Sequence, residues 1–147
     1  HLSIRRQRQM CIRDRDRVYS DVVPLLSKLH RKGFVLGVLS ERPDSAIKVS
    51  LARHKLSSYF DFCLSAYELD NAESKLNSKT WETLIRVSGR NPGEICYVGD
   101  DYATDFSPAF NHGIFAVLLD RKKRNGFLEC KKIGSLKELT QMLRVKP

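Results

Sequence analysis

The sequence has 147 residues, of which 41% are hydrophobic and 29% charged. This balance is typical of a single globular domain and excludes a disordered chain. No apolar run approaches the roughly 18 residues that a membrane-spanning helix requires, so we expect no membrane partner. The formal net charge of +9 would by itself indicate an anionic partner.

The four cysteines show neither a CxxC pair nor a spacing typical of metal ligands. Cys63 and Cys96 lie inside apolar runs, and we interpret them as small, buried core residues. The start, HLSIRRQRQM, has no apolar core and is not typical of a secretory signal peptide. We therefore expect a reducing compartment such as the cytoplasm.

The first fifteen residues differ in character from the rest of the chain. They contain five arginines and one acid, Asp14, and they show no helical or strand periodicity. The segment RRQRQMCIRDR resembles the in-frame translation of a transposase adapter used to prepare short-read sequencing libraries, so we exclude residues 1–15 from fold reasoning. A natural basic arm that binds nucleic acid is the alternative interpretation. Without this segment the net charge falls to +5, and residues 16–147 are expected to be the C-terminal part of a longer protein.

The rest of the chain alternates predicted helices and strands. A helix capped by Ser20 ends at Gly33, and the apolar run Phe34–Leu39 predicts a strand buried on both faces. There follow, in order, a helix from Pro43 to about Lys55, a strand over 61–66, a helix over 77–88, a strand over 95–100, a short helix over 106–111, a strand over 114–120, an edge strand over 127–133, and a helix opened by a capping box of Ser135 and Glu138. This order predicts an α/β fold of the Rossmann-like type, with a parallel sheet flanked by helices on both faces.

Polar residues follow two of the predicted strands where each strand ends. Ser40 follows the first apolar run, and Asp100 and Asp101 end the third strand, with Asp105 shortly after them. Because the carboxyl ends of parallel strands meet at one edge of a sheet, we expect these residues to lie together, with Lys75 close by. Paired carboxylates suit Mg²⁺, while a hydroxyl group and a lysine can hold a phosphate. The sequence therefore predicts a site for a phosphate and a divalent cation.

Each of these residue types also has a purely structural interpretation. A serine at a strand end is commonly a turn or cap residue, an exposed lysine is commonly solvated, and aspartates after a glycine are commonly loop residues. We interpret the basic loop Arg121–Arg124 as a solvated turn, and His30, His54 and His112 as surface or packing residues. The agreement of order, spacing and strand position favours the functional interpretation of the polar cluster.

These motifs resemble the haloacid dehalogenase-like hydrolase superfamily, in particular its phosphatase-type members with a helical cap inserted early in the chain. VLGVLS is similar to the second motif of the family, and GDDYATD is similar to the fourth. The resemblance implies that Ser40 and Lys75 bind phosphate, that Asp100 is the Mg²⁺ ligand and that Asp105 is a supporting acid. Asp101 is then either a further Mg²⁺ ligand or a group that supports Asp100. The acidic pair favours metal-dependent phosphatases acting on a small phosphomonoester over true dehalogenases, whose chemistry needs no cation.

The main departure from the family pattern concerns the nucleophile, the first Asp of an Asp-x-Asp-x-Thr motif at the end of the central strand. Asp14 and Asp16 have the right spacing, but no apolar strand precedes them and Val18 stands where the Thr should be. We therefore expect the central strand and the cap to be missing, and the chain alone to be inactive and prone to aggregate. The alternative is a non-catalytic Rossmann-like module whose basic surface, including residues 121–132, binds an acidic partner or nucleic acid. The sequence leaves the oligomeric state open.

Overall fold

The computed structural model describes residues 17–69 and 74–143, so the predictions for Asp14, Asp16 and the adapter-like segment lie outside the described residues. Within these ranges helices and strands alternate, as predicted. In chain order the elements are α1 (Val22–Arg31), β1 (Gly37–Ser40), α2 (Asp44–Arg53), β2 (Phe62–Ser65), α3 (Ser78–Ser88), β3 (Cys96–Gly99), α4 (Ser107–Asn111), β4 (Phe115–Leu119), β5 (Lys132–Ile133) and α5 (Lys137–Met142).

The strands form two parallel sheets, which confirms the α/β fold class. One sheet pairs β1 with β2, and the other has the order β3-β4-β5. Within the described ranges, β1 and β3 are not hydrogen-bonded to each other. Each of these two strands therefore has one edge that no described strand covers.

Alternate residues of β4 face opposite sides of their sheet, because successive side chains of a strand point in opposite directions. Ala116 and Leu118 pack into a cluster on one side, and Val117 packs into a second cluster on the other side. The buried members of the first cluster are Leu64, Trp81, Leu84, Phe106, Ala109, Ile114, Ala116 and Leu118, and those of the second are Leu25, Leu29, Val117, Ile133 and Leu139. The first cluster joins β2 to β4, so both sheets share one core.

The prediction of a fully buried strand over 34–39 is wrong in extent and in burial. The strand covers Gly37–Ser40 with exposed or half-buried residues, and Phe34 before it is 42% exposed. An apolar run is buried on both faces only where neighbouring strands and helices cover it. The half-exposure of β1 follows from its having one described partner, β2. The predicted last edge strand is likewise reduced to Lys132–Ile133.

Two predicted helix caps are also wrong, and Asp21 and Ser135, near the starts of these helices, make a tertiary contact with each other. Asp21, not Ser20, precedes α1, and its carboxylate accepts two hydrogen bonds from the Arg121 guanidinium at 2.8 and 2.9 Å. The Ser135 hydroxyl donates to the same carboxylate at 3.0 Å, while Glu138 accepts from the backbone of Gly134. Asp21, Arg121 and Ser135 are called the Asp21 clasp below, because they join the starts of α1 and α5 to the end of β4.

The clasp corrects the interpretation of the basic loop as a solvated turn for Arg121 alone, because residues 122–124 are exposed as expected. Arg121 is half-buried against Asp21, and the Lys132 ammonium donates to backbone carbonyl groups of the same loop, including that of Asn125 at 2.8 Å. Two of the basic side chains in residues 121–132, those of Arg121 and Lys132, therefore stabilise the fold. Among the described helices, none combines the length and apolar character needed to cross a membrane.

Candidate functional site

The best-defined polar contact at the carboxyl edge of the sheets joins Lys75 to Asp105. The Lys75 ammonium lies 2.6 Å from the Asp105 carboxylate, and their side chains are 15% and 4% exposed. The Tyr97 hydroxyl donates to the same carboxylate oxygen at 3.0 Å, and the Asp101 backbone N–H donates to the other oxygen at 3.2 Å. Three donors thus hold the Asp105 carboxylate beside the end of β3.

Gly99 allows Asp105 to approach the end of β3 this closely. A Cβ atom at position 99 would lie 2.4 Å from Cβ and Cγ of Asp105, far inside van der Waals contact. The absence of a side chain at this position therefore lets the carboxylate pack against the strand and reach Lys75.

We expect Gly99→Ala to lower the free energy of unfolding by about 1–3 kcal/mol, because the new methyl group must push Asp105 away from Lys75. Urea denaturation of both proteins measures the difference. Gly126→Ala is the matched control, since a Cβ at position 126 would meet no atom within 4 Å. Equal losses of unfolding free energy in the two variants would contradict the close packing of Asp105 against Gly99.

The backbone of Lys75 is held as firmly as its side chain. The Glu41 carboxylate, next to Ser40 at the end of β1, accepts the Lys75 N–H at 3.0 Å. The indole N–H of Trp81, a fully buried residue of α3, donates to the Lys75 carbonyl oxygen at 2.6 Å. Lys75 is therefore fixed at its N–H, its carbonyl group and its ammonium by residues from three different parts of the chain.

The remaining predicted site residues lie at the same edge but in looser surroundings. The Ser40 hydroxyl accepts the backbone N–H of Arg42 at 3.1 Å, a turn contact that leaves its own proton free to be donated. Asp100 and Asp101 are exposed, and one Asp101 carboxylate oxygen accepts the Thr104 N–H at 2.9 Å. That contact places the pKa of Asp101 below its usual value. The structure thus brings Lys75, Asp101 and Asp105 together by hydrogen bonds, and Asp100 directly precedes Asp101 in the chain.

The site is strongly acidic. Burial raises the pKa of the Tyr97 hydroxyl far above its usual value, and the nearby carboxylates of Asp105, Asp100 and Glu41 raise it further. Tyr97 therefore stays protonated and acts as a hydrogen-bond donor. With Asp101, four carboxylates gather at this edge, where the Lys75 ammonium is paired with Asp105.

The donor set is compatible with Mg²⁺, although it is incomplete. Mg²⁺ is commonly held by one or two carboxylates, with waters and substrate oxygens as the other ligands. Asp100 and Asp101 offer such a pair at the end of β3. Among the described residues, no group of three or more His, Cys, Asp or Glu side chains forms a complete metal site.

Sequence reasoning missed the residues that hold Lys75 in place. Glu41 directly follows the singled-out Ser40, but its partner is a backbone N–H that lies 34 positions away. Trp81 lies in the predicted helix over 77–88 and Tyr97 in the predicted strand over 95–100, and neither pattern reveals a polar contact. Only their proximity in three dimensions shows that their N–H and O–H groups serve the site.

Comparisons with known proteins agree with this fold. A family model described as a haloacid dehalogenase-like hydrolase matches residues 2–113. The chain therefore belongs to the haloacid dehalogenase-like hydrolase family. The match includes residues 2–15, whose interpretation as adapter-derived stays a prediction.

Relatives of the chain include both dehalogenases and phosphatases. (S)-2-haloacid dehalogenase 4A of Burkholderia cepacia is 30% identical over 104 residues, which cover 71% of this chain and 44% of that protein. A HAD phosphatase from Thermococcus onnurineus is 29% identical with a TM-score of 0.79, covering 86% of this chain and 58% of its own. The HAD-hydrolase YfnB of Bacillus subtilis, solved with magnesium bound, has a TM-score of 0.78 at 15% identity, covering 88% and 56% of the two chains, and shows the fold alone. The chain spans about half the length of these relatives.

Proposed function

We propose that this chain carries the phosphate- and cation-binding part of a Mg²⁺-dependent phosphatase that acts on a small phosphomonoester. The observation that carries the proposal is the gathering of four carboxylates at this edge, where the Lys75 ammonium is already paired with Asp105. A phosphate dianion would be repelled from such a site unless a divalent cation offset the negative charge. The excess of carboxylates therefore favours chemistry that uses a cation.

The proposed roles follow from the position and the chemistry of each side chain. Ser40 and Lys75 hold the phosphate through a hydroxyl and an ammonium group, and Asp100 with Asp101 provides carboxylate oxygens for the cation. Asp105 keeps the Lys75 ammonium at the end of β3. When bound, the cation would offset negative charge on the phosphoryl group that is transferred.

The nucleophile has to come from a segment outside the described residues. Ser40 has no described base beside it, and the ammonium of Lys75 is paired with Asp105. The uncovered edges of β1 and β3 could pair with a further strand, whose carboxyl end would then lie between Ser40 and Asp100. An aspartate there would complete both the cation site and an aspartyl-phosphate mechanism, while the described residues would by themselves bind phosphate and the cation.

Dehalogenation of a 2-haloacid is the second candidate function, because a curated 2-haloacid dehalogenase is 30% identical over 104 residues. Lys75 and Ser40 could bind the carboxylate of such a substrate as well as a phosphate. The excess of carboxylates at the site has no evident use in this chemistry. The alternative of a basic binding module has less support, because Arg121 and Lys132 are engaged in contacts within the fold.

The proposed function predicts Mg²⁺-dependent binding of inorganic phosphate by the chain itself. Trp81 is the single tryptophan of the sequence and contacts Lys75, so its fluorescence can follow a phosphate titration at low protein concentration. We expect Mg²⁺ to raise the phosphate affinity and Asp100→Asn to reduce this enhancement about tenfold or more. Glu82→Gln, an exposed position on α3, is the control and should leave the enhancement unchanged.

Three results would contradict the proposal. Phosphate binding that is indifferent to Mg²⁺ would remove its main support. Tight binding of 2-chloropropionate without Mg²⁺ would favour the dehalogenase, and nucleic-acid binding that weakens steeply with salt would favour the basic module.

A further inference from the structure

Lys75 connects the two sheets at the candidate site. The Lys75 ammonium contacts Asp105, which follows β3, and the Lys75 N–H contacts Glu41, which follows β1. Within the described residues β1 and β3 share no hydrogen bond, so their relative position at this edge depends on such bridging contacts. Glu41 provides one of them directly beside Ser40.

Glu41 is held at one carboxylate oxygen by two neighbouring donors. The Ser74 hydroxyl donates to this oxygen at 3.1 Å, and the Lys75 N–H donates to it at 3.0 Å. The backbone of Ser74 is in turn anchored to α3, because the Thr80 hydroxyl donates to the Ser74 carbonyl oxygen at 2.8 Å. Thr80 is fully buried, so this hydrogen bond is shielded from solvent.

We propose that Glu41 is a positioning residue that sets the distance between Ser40 and Lys75, the two groups that hold phosphate in the proposed function on which this inference rests. Ser40 and Glu41 are consecutive, so the bond from Glu41 to the Lys75 N–H fixes the backbone of both phosphate-binding residues relative to each other. Two binding groups from separate sheets are useful only if their spacing matches the ligand. Glu41 sets the spacing between Ser40 and Lys75 through its hydrogen bond to the Lys75 N–H.

The carboxylate charge of Glu41 has the opposite effect on phosphate binding. A negative group near the site repels an anion, so a residue that acted through charge alone would weaken binding, and its removal would tighten it. A positioning residue gives the reverse result, because losing the contact lets Ser40 and Lys75 move apart. The sign of the change in affinity therefore distinguishes the two roles.

The test uses the full chain, inorganic phosphate with Mg²⁺, and Trp81 fluorescence. Glu41→Ala is expected to weaken phosphate binding about tenfold, the usual effect of losing a hydrogen bond to a charged group. Glu41→Asp should weaken it similarly, because the shorter side chain keeps the charge but cannot reach the Lys75 N–H. Glu41→Gln keeps an acceptor oxygen in place and should bind phosphate at least as well as the unchanged chain. Glu82→Gln is again the control.

A second measurement needs no phosphate. Hydrogen exchange of the Lys75 amide should accelerate in Glu41→Ala and Glu41→Asp but stay slow in Glu41→Gln. Tighter phosphate binding by Glu41→Ala, or unchanged binding by Glu41→Asp, would overturn the positioning role. If Glu41→Ala does not fold, the comparison of the Asp and Gln variants decides the question. Failure of the unchanged chain to bind phosphate would instead refute the proposed function, and this inference with it.

Discussion

Asp21→Ala is expected to lower the free energy of unfolding by about 3 kcal/mol, at the lower end of the range for breaking a buried ion pair, because the pair lies close to the surface. The Asp21 side chain is 5% exposed and accepts both guanidinium bonds of Arg121. It also accepts the Ser135 hydroxyl and the Leu136 N–H. The Arg121 guanidinium in turn lies 3.9 Å from the centre of the Tyr19 ring. Removing the carboxylate leaves all of these donors without their acceptor.

The contribution of the Asp21 clasp should depend on pH. The hydrogen bonds from Arg121 hold the pKa of Asp21 far below its unfolded value of about 3.9. A carboxylate whose pKa is lower in the folded state stabilises the fold above the unfolded pKa and loses this effect as the pH falls. The difference in stability between the unchanged chain and Asp21→Asn should therefore be full near neutral pH and shrink below about pH 4.

Urea denaturation at neutral and acidic pH measures this dependence. Asp44→Asn is the control, because Asp44 forms a surface pair with Lys48 within α2 and such pairs contribute little to stability. A pH-independent difference for Asp21→Asn, or equal losses for the two positions, would show that the clasp does not contribute as an ion pair.

Asp105→Ala is the second substitution with a large expected effect, also about 3 kcal/mol of unfolding free energy. It removes the acceptor of the Lys75 ammonium and of the Tyr97 hydroxyl, and both donors are largely covered by the fold. Tyr97→Phe is a graded comparison, because it removes only one hydrogen bond and leaves the ion pair, at a cost of about 1 kcal/mol. Thermal or urea denaturation ranks the stabilities of the unchanged chain, Tyr97→Phe and Asp105→Ala. A smaller loss for Asp105→Ala than for Tyr97→Phe would show that Asp105 is not the centre of this network.

The sequence was sufficient for the fold class, and it predicted a candidate site at one edge of the sheet. Helical periodicity, short apolar runs and Gly or Pro at the ends are local signals, and Gly89 ends α3 with the positive φ expected of such a residue. Parallel strands share one carboxyl edge, so the order of elements alone predicts that Ser40, Lys75 and Asp100 lie at the same edge. These inferences hold because they depend on neighbours along the chain.

Tertiary structure decided which groups are partners and how far each strand is covered. Ser135 serves Asp21 rather than a capping box, Arg121 is a structural residue, and Glu41 binds the backbone of Lys75. Hydrogen-bond partners that are tens of residues apart leave no periodic pattern, and an apolar run is equally apolar with one neighbouring strand or with two. The local pattern therefore determined which elements form and where polar side chains gather, whereas packing alone determined the contacts that hold Lys75 and the half-exposure of β1.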